Sequence, residues 1–365
     1  MFEAPCCHRF ERVLEQMSRP FSSLLHAHLI PWTKLDWPIE WEEIFGRSSP
    51  LEVEIGFGNG GFLVEQAMRR TDHDFVGIER SLASAHRVFK WIEREGLTNV
   101  RILLGDAEFA LDHLFPPEHL DRIYINFSDP WPKERHHSRR LVQAPFLELT
   151  GRRLVEDGTI TIVTDHAGYA EWIEGAYTHQ TMLQSLHDSV SVERIEGRTP
   201  TKYERKAIDA CVPIHYYEWK RCAPVKEMVR DERIDAVPNV ILDGPFDSNQ
   251  LLDAFGDSTW QGNHEGVSVV VKLGHGFQDR ELGHVLVEAM VREGEFAQHL
   301  AIAVIHRPPS EILVKPSPIG HPRPTWGVKQ AVHRVTLALC VACPGLRVVS
   351  STLGDTPDHE TAEAD

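Results

Sequence analysis

The stretch Leu51-Glu-Val-Glu-Ile-Gly-Phe-Gly-Asn-Gly-Gly61 decides the fold. A run of strand character, Leu51–Ile55, leads straight into glycines at 56, 58 and 61, the GxGxxG spacing. Glycine accepts positive φ and carries no Cβ, so such a turn lets a nucleotide come close to the backbone at the start of a helix. The spacing alone fits two ligand classes. A dinucleotide would lay its pyrophosphate on the turn; S-adenosylmethionine would lay its methionine part and adenosine there.

The acids around the turn separate the two. Glu54 stands on the strand two positions before Gly56, where a carboxylate attracts an ammonium and repels a pyrophosphate. Glu79 closes the next apolar run, Val76-Gly-Ile-Glu79, and suits bidentate acceptance from ribose hydroxyls in either cofactor. Asp106 follows the third run in Leu104-Gly-Asp-Ala107, where it can hold an adenine amino group, with Ala107 beside it. Singly, each acid could instead be a helix N-cap or a solvated turn residue. Together, on consecutive strand ends, they suit a cationic amino-acid nucleoside.

Outward from this turn, short apolar runs alternate with amphipathic ones. Strands are expected at Leu51–Ile55, Phe75–Glu79, Val100–Leu104, Arg122–Phe127 and Thr159–Thr164, with helices at Gly61–Arg70, Leu82–Glu95 and Leu141–Val155. That alternation predicts an α/β fold with a doubly wound, Rossmann-like parallel sheet whose strand ends share one ligand-bearing edge. Residues 1–50 read as an extension anchored by Trp32, Trp37 and Trp41, and Ala207–Trp219 as a further strand that completes a domain over 51–222. A smaller α+β domain is expected over 238–353. Its elements are strand Val240–Leu242, helix Ser248–Phe255, strand Gly266–Leu273 and helix Arg280–Arg292, then strands Leu300–His306 and Glu311–Lys315, a helix from about Gly327 and a last strand Arg347–Ser351. The order suits a βαββαβ sandwich. Residues 354–365 form an acidic tail.

Among 365 residues, 42% are hydrophobic and 8% aromatic, globular values that support more than one core. No apolar run approaches the length of a bilayer span, and the N-terminus lacks the apolar core of a secretory signal, so a cytoplasmic location without membrane attachment is expected. The six cysteines, Cys340-Val-Ala-Cys343 included, make neither a disulfide framework nor a paired metal site, so no metal is expected. The net charge of −16 excludes a generic nucleic-acid sponge. Residues 1–220 hold 25 Lys and Arg against 34 Asp and Glu, and residues 221–365 hold 13 against 20. Any nucleic acid must be met by a local patch.

Such a patch follows the fourth strand, in Ile123-Tyr-Ile-Asn-Phe-Ser-Asp-Pro-Trp-Pro-Lys-Glu-Arg-His-His-Ser-Arg-Arg140. Asp129 leaves the sheet at the ligand edge, where it would stand beside the transferable methyl group. Pro130 and Pro132 fix φ and stiffen its loop. Trp131 offers an aromatic face to a base or to the loop's own packing. Lys133, Arg135, His136, His137, Arg139 and Arg140 are opposed only by Glu134 and suit phosphate oxygens; a solvated helix start is the other reading.

Glu54-Ile-Gly-Phe-Gly-Asn-Gly, Gly77-Ile-Glu79, Gly105-Asp-Ala107, Phe127-Ser-Asp-Pro-Trp-Pro-Lys-Glu-Arg-His136, Thr164-Asp165 and Thr201-Lys-Tyr-Glu204 occur in that order. From about Trp41 to Lys220 the chain resembles the bacterial tRNA (guanine-N7)-methyltransferases. The resemblance implies a class I S-adenosylmethionine-dependent methyltransferase fold. It also implies methyl transfer to guanine N7 in the variable loop of tRNA (m7G46), with tRNA as partner. Glu54, Gly56, Gly58, Glu79, Asp106, Ala107 and Asp129 would contact the cofactor, and Asp129 would be the catalytic acid. Lys133, Asp165, Thr201, Lys202, Tyr203 and Glu204 would meet the substrate; Arg135, His136, Arg139 and Arg140 would meet phosphates. The family usually has Pro where Ser128 stands and a basic residue where Ser138 stands.

Two other functions compete. An NAD-dependent dehydrogenase could use the glycine turn, although Glu54 and the Asp129 loop oppose it. A catalytically silent RNA-binding protein could keep the fold without the chemistry. No motif in residues 221–365 specifies a chemistry or an oligomeric state.

Overall fold

The computed structural model describes residues 28–226, 237–245, 252, 255–278, 284–294, 296–307, 310–319 and 322–354. The chain divides into two units, residues 1–32 with 37–232 and residues 33–36 with 233–365.

In the first unit, apolar runs become strands buried on both faces, as a sheet covered by helices requires. They are β1 (Leu51–Ile55), β2 (Asp74–Glu79), β3 (Val100–Leu104), β4 (Leu120–Asn126), β5 (Leu154–Thr164), β6 (Leu183–Ser185) and β7 (His215–Arg221). Spatial order is β3-β2-β1-β4-β5-β7-β6. β1 through β5 run parallel, while β7 enters antiparallel between β5 and β6. This is the class I S-adenosylmethionine-dependent methyltransferase fold.

The helices are α1 (Trp41–Phe45), α2 (Gly61–Arg69), α3 (Leu82–Glu95), α4 (Ala107–Leu114), α5 (Ala144–Arg153), α6 (Ala167–Tyr177) and α7 (Lys202–Asp209). α3 shows how the sequence sets such an element. Ser81 caps its N-terminus, Gly96 ends it in the left-handed region, and Ala85, Val88, Phe89 and Ile92 bury one face. The segment before β1 is tied down by its aromatics: Trp41 stacks on Phe115 with centroids 4.5 Å apart, and its Nε1 donates to the Leu114 carbonyl at 3.2 Å. The expected strand over Ala207–Trp219 is corrected. Its first residues finish α7, because Thr201 and Glu204 close a capping box that starts a helix, and the strand begins only at His215.

The second unit is an antiparallel seven-stranded sheet in the order β14-β8-β13-β12-β11-β10-β9. Its elements are β8 (Val240–Asp243), β9 (Ser258–His264), β10 (Val267–Gln278), β11 (Val285–Glu293), β12 (Phe296–Arg307), β13 (Glu311–Pro316), α8 (Trp326–Ala342) and β14 (Arg347–Ser351). Val328, Ala331, Val332, Val335 and Leu339 of α8 share one core with Val271, Val287, Val291, Ile302 and Val314 of the sheet. The βαββαβ order is thereby corrected. The expected helix Arg280–Arg292 is strand β11 from Val285, because Val285, Val287, Ala289 and Val291 alternate inward with period two; residues 280–283 lie outside the described residues. So do 1–27 and nearly all of 248–254 and 355–365, where an extension, a helix and an acidic tail were expected. No helix among the described residues is long and apolar enough to cross a membrane.

Candidate active site

The glycine turn follows β1, with Gly56, Gly58 and Gly60 at φ of 69°, 54° and 73°. Gly60 is needed for space as well as for φ. A Cβ there would meet Val88 Cγ2 at 2.1 Å, so α3 closes directly over the turn.

Two buried carboxylates on one face of β1 differ in a telling way. Glu52 accepts from the Arg70 guanidinium and from the Tyr124 hydroxyl. Glu54, 3% exposed, accepts from Asn126 Nδ2 at 2.9 Å through Oε1, whereas Oε2 is buried and makes no hydrogen bond of ordinary geometry. Burial pushes the Glu54 carboxyl up to about 7, against the opposing pull of Asn126, the Arg198 charge and the nearby Leu63 N–H. A one-sided buried carboxylate at a sheet edge suits a cationic ligand group, since an unpaired buried oxygen is costly. The residues present therefore fit the ammonium of S-adenosylmethionine.

Glu79 ties the turn to its neighbour. Its Oε2 accepts from Gly58 N–H at 3.2 Å, and its Oε1 from Arg80 and Ser81 N–H at 2.9 and 3.0 Å. Asp106 is the N-cap of α4: Oδ1 accepts from the N–H groups of Glu108 and Phe109, with Ala107 buried behind it. The capping alternative is thus realised by one oxygen of Asp106, while the side chain stays exposed.

After β4 the chain turns sharply. Phe127 and Trp131 take φ of 53° and 42°, sparsely allowed for residues with a Cβ, and Asp129 stands exposed between them. Arg139 lies 5.1 Å from the centroid of the Trp131 ring, and His136 meets the ring edge-on at 5.7 Å, so the indole is largely engaged by its own loop. Lys133, Arg135 and Arg139 are exposed, and His136 is half-buried.

Arg140 departs from its expected place. It is 4% exposed, donates through Nε to the Pro130 carbonyl at 2.8 Å, and lies over the rings of Trp172 and Tyr169. It fixes the loop from behind and does not present itself to a phosphate. Glu204 departs likewise. It is 2% exposed, and its carboxylate accepts from Thr201 N–H at 2.9 Å, Tyr216 Oη at 3.0 Å and Arg198 Nε at 3.2 Å. With Thr201 committed to the same cap, the exposed groups at this helix start are Lys202 and Tyr203. The Tyr203 ring reaches Phe127, 6.0 Å between centroids, which brings this segment to the Asp129 loop. Asp165 is exposed directly after β5.

Sequence reasoning missed Asn126 and Arg198. Asn126 donates to Glu54 and accepts from Arg198 Nη2, and Arg198 grips Glu204. The amide at the end of the otherwise apolar Ile123-Tyr-Ile-Asn126 was a readable signal; a lone arginine in a loop was not. Among the described residues, no group of three or more His, Cys, Asp or Glu is placed to hold a metal ion.

Comparison with known proteins bears on the family. A family model described as "Putative methyltransferase" matches residues 48–216. A tRNA (guanine-N(7)-)-methyltransferase of Thermus thermophilus is 33% identical over 324 residues, 86% of this chain and 96% of that protein. The chain belongs to the tRNA (guanine-N(7)-)-methyltransferase family. A member from Thermotoga maritima is 43% identical over 170 residues, 47% of this chain, and the chain spans only 53% of that relative. A member from Nitrosomonas eutropha is 43% identical over 189 residues, 52% of this chain and 83% of that protein. The match to the Thermus member is long enough to take in part of the second unit, beyond the reach of the sequence motifs.

Proposed function

We propose that the chain transfers a methyl group from S-adenosylmethionine to N7 of guanine in the variable loop of tRNA (m7G46), in the cytoplasm. The observation that carries this reading is Glu54, whose unpartnered buried oxygen suits a cationic donor, on the strand next to the one that leads into the Asp129 loop. When bound, S-adenosylmethionine supplies an electrophilic methyl group on a sulfonium.

The chain's own residues do the rest. Glu54 receives the donor's ammonium, Gly56 and Gly58 give it room, Glu79 accepts from ribose hydroxyls, and Asp106 with Ala107 borders the adenine. Guanine N7 already carries an in-plane lone pair, so no side chain need remove a proton to create the nucleophile. Catalysis then rests on alignment, together with carboxylate stabilisation of the positive charge that moves onto the purine. Asp129 stabilises that charge. Asp165 accepts from guanine N1–H and the exocyclic amine, a donor pair that adenine lacks. Lys202 and Tyr203 flank the base, while Lys133, Arg135, His136 and Arg139 meet phosphates. The base has to leave its stack to enter.

Incubation of the full chain with labelled S-adenosylmethionine and unmodified tRNA, followed by nucleoside mapping, tests this. Label in 7-methylguanosine is expected. Label elsewhere, or none while NADH binds, would reverse the reading in favour of another enzyme class.

A further inference from the structure

We propose that Arg198 is a positioning residue that couples donor binding to tRNA binding, so that each strengthens the other. This rests on the methyl-transfer reading above.

A continuous buried relay joins the two sides of the site. Glu54 accepts from Asn126 Nδ2 at 2.9 Å; Asn126 Oδ1 accepts from Arg198 Nη2; Arg198 donates through Nε to Glu204 Oε1 at 3.2 Å. Glu204 in turn accepts from Thr201 N–H and Tyr216 Oη, fixing the start of α7 from which Lys202 and Tyr203 emerge. The Arg198 and Glu204 side chains are only 6% and 3% exposed. Arg198 also lies 5.0 Å from the ring centroid of Phe62, in the helix that follows the glycine turn.

The charge count makes this relay sensitive to the donor. One guanidinium sits between two carboxylates, and Glu54 Oε2 lacks a partner. An ammonium docked there supplies the second cation and holds Glu54 ionised. Asn126 then donates to a full negative charge, and polarisation along the chain strengthens its acceptance from Arg198. Arg198 is drawn into one geometry, and the base-facing start of α7 is ordered before RNA arrives. Linkage requires the converse: tRNA that orders α7 must tighten donor binding by the same factor. A merely structural ion pair would lower stability when removed and leave that factor alone.

The test measures binding of S-adenosylhomocysteine, which carries the ammonium and cannot react, by calorimetry with and without saturating unmodified tRNA. In the unaltered chain, tRNA should tighten binding about fivefold or more. Arg198→Met should bring the ratio to near one and raise KM for tRNA. Arg198→Lys, which keeps the charge but lacks the fork that reaches Asn126 and Glu204 together, should fall to below about twofold. Tyr217→Phe, which removes a buried hydrogen bond to the Ala170 carbonyl away from the relay, should keep the original ratio. A ratio of one in the unaltered chain overturns the proposal, as does the original ratio in either arginine variant that circular dichroism shows to be folded. Absence of S-adenosylhomocysteine binding altogether would instead sink the methyl-transfer reading.

Discussion

The guanidinium of Arg140 lies 4.9 Å from the centroid of the Trp172 ring, on the inner side of the loop that carries Asp129. The same group donates to the Pro130 carbonyl, so one buried cation joins α6 to the loop backbone. Loss of a charged hydrogen bond and two cation–π contacts should cost about 2–4 kcal/mol. Arg140→Ala is therefore expected to shift the urea midpoint downward and to lower kcat. Equal stability would show that the loop holds itself.

Lys133, Arg135 and Arg139, in contrast, are exposed. Replacing all three by alanine should change the unfolding free energy by no more than about 1.5 kcal/mol, the contact of Arg139 with Trp131 included. Each lost phosphate contact should flatten the dependence of log affinity for tRNA on log salt by about 0.7–0.9. Titrations of tRNA at several salt concentrations measure the slope. An unchanged slope would leave these residues as a solvated face.

Glu54 gives a pH signature. Its carboxyl is raised from 4.5 to about 7 by burial, so the folded chain holds that proton more tightly than the unfolded chain. The resulting stability is fully present below pH 4.5 and is lost as pH rises to about 7. Glu54→Gln is neutral throughout. The ligand-free variant should therefore gain on the unaltered chain as pH rises from 5 to 8, by about 1–3 kcal/mol at the upper end. It should also lose the thermal stabilisation that S-adenosylmethionine confers. In the unaltered chain, donor affinity should fall as pH drops below about 7, since a proton then competes with the ammonium. A pH-independent gap between the two proteins would remove the unpaired charge from the account.

Asp129→Ala should leave the unfolding midpoint nearly unchanged, because the side chain is exposed. Transfer to guanine N7 should fall by at least about a hundredfold, the scale on which one preorganised charge contributes. A variant that still methylates at a comparable rate would take Asp129 out of the chemistry.

The first unit was legible because its strands, buried on both faces, are continuous apolar runs punctuated by glycine and by acids at one edge. The Asp129 loop was legible because its two prolines and its position leave little choice. Glu204 was misread although the signal was present: Thr201-Lys-Tyr-Glu204 is a capping box, in which the fourth residue turns back to the helix start. Arg140 looked like its neighbours, and only burial distinguishes it. In the second unit, Val285–Glu293 supports both periods, since Leu286, Ala289, Met290 and Glu293 are spaced as a helical stripe. Pairing with β10 and β12 on either side decides for the strand. β9 carries Gln261, Gly262 and Asn263 and is an edge strand, and nothing in its composition announces it.

The left-handed corners at Phe127 and Trp131 have a kinetic meaning. Segments that are ordered only when substrate arrives surrender entropy at every turnover, and that loss appears in the barrier. On the methyl-transfer proposal, the corners, the prolines and the cation behind them restrict the aspartate during folding, once, and each later cycle would begin with the carboxylate already aimed.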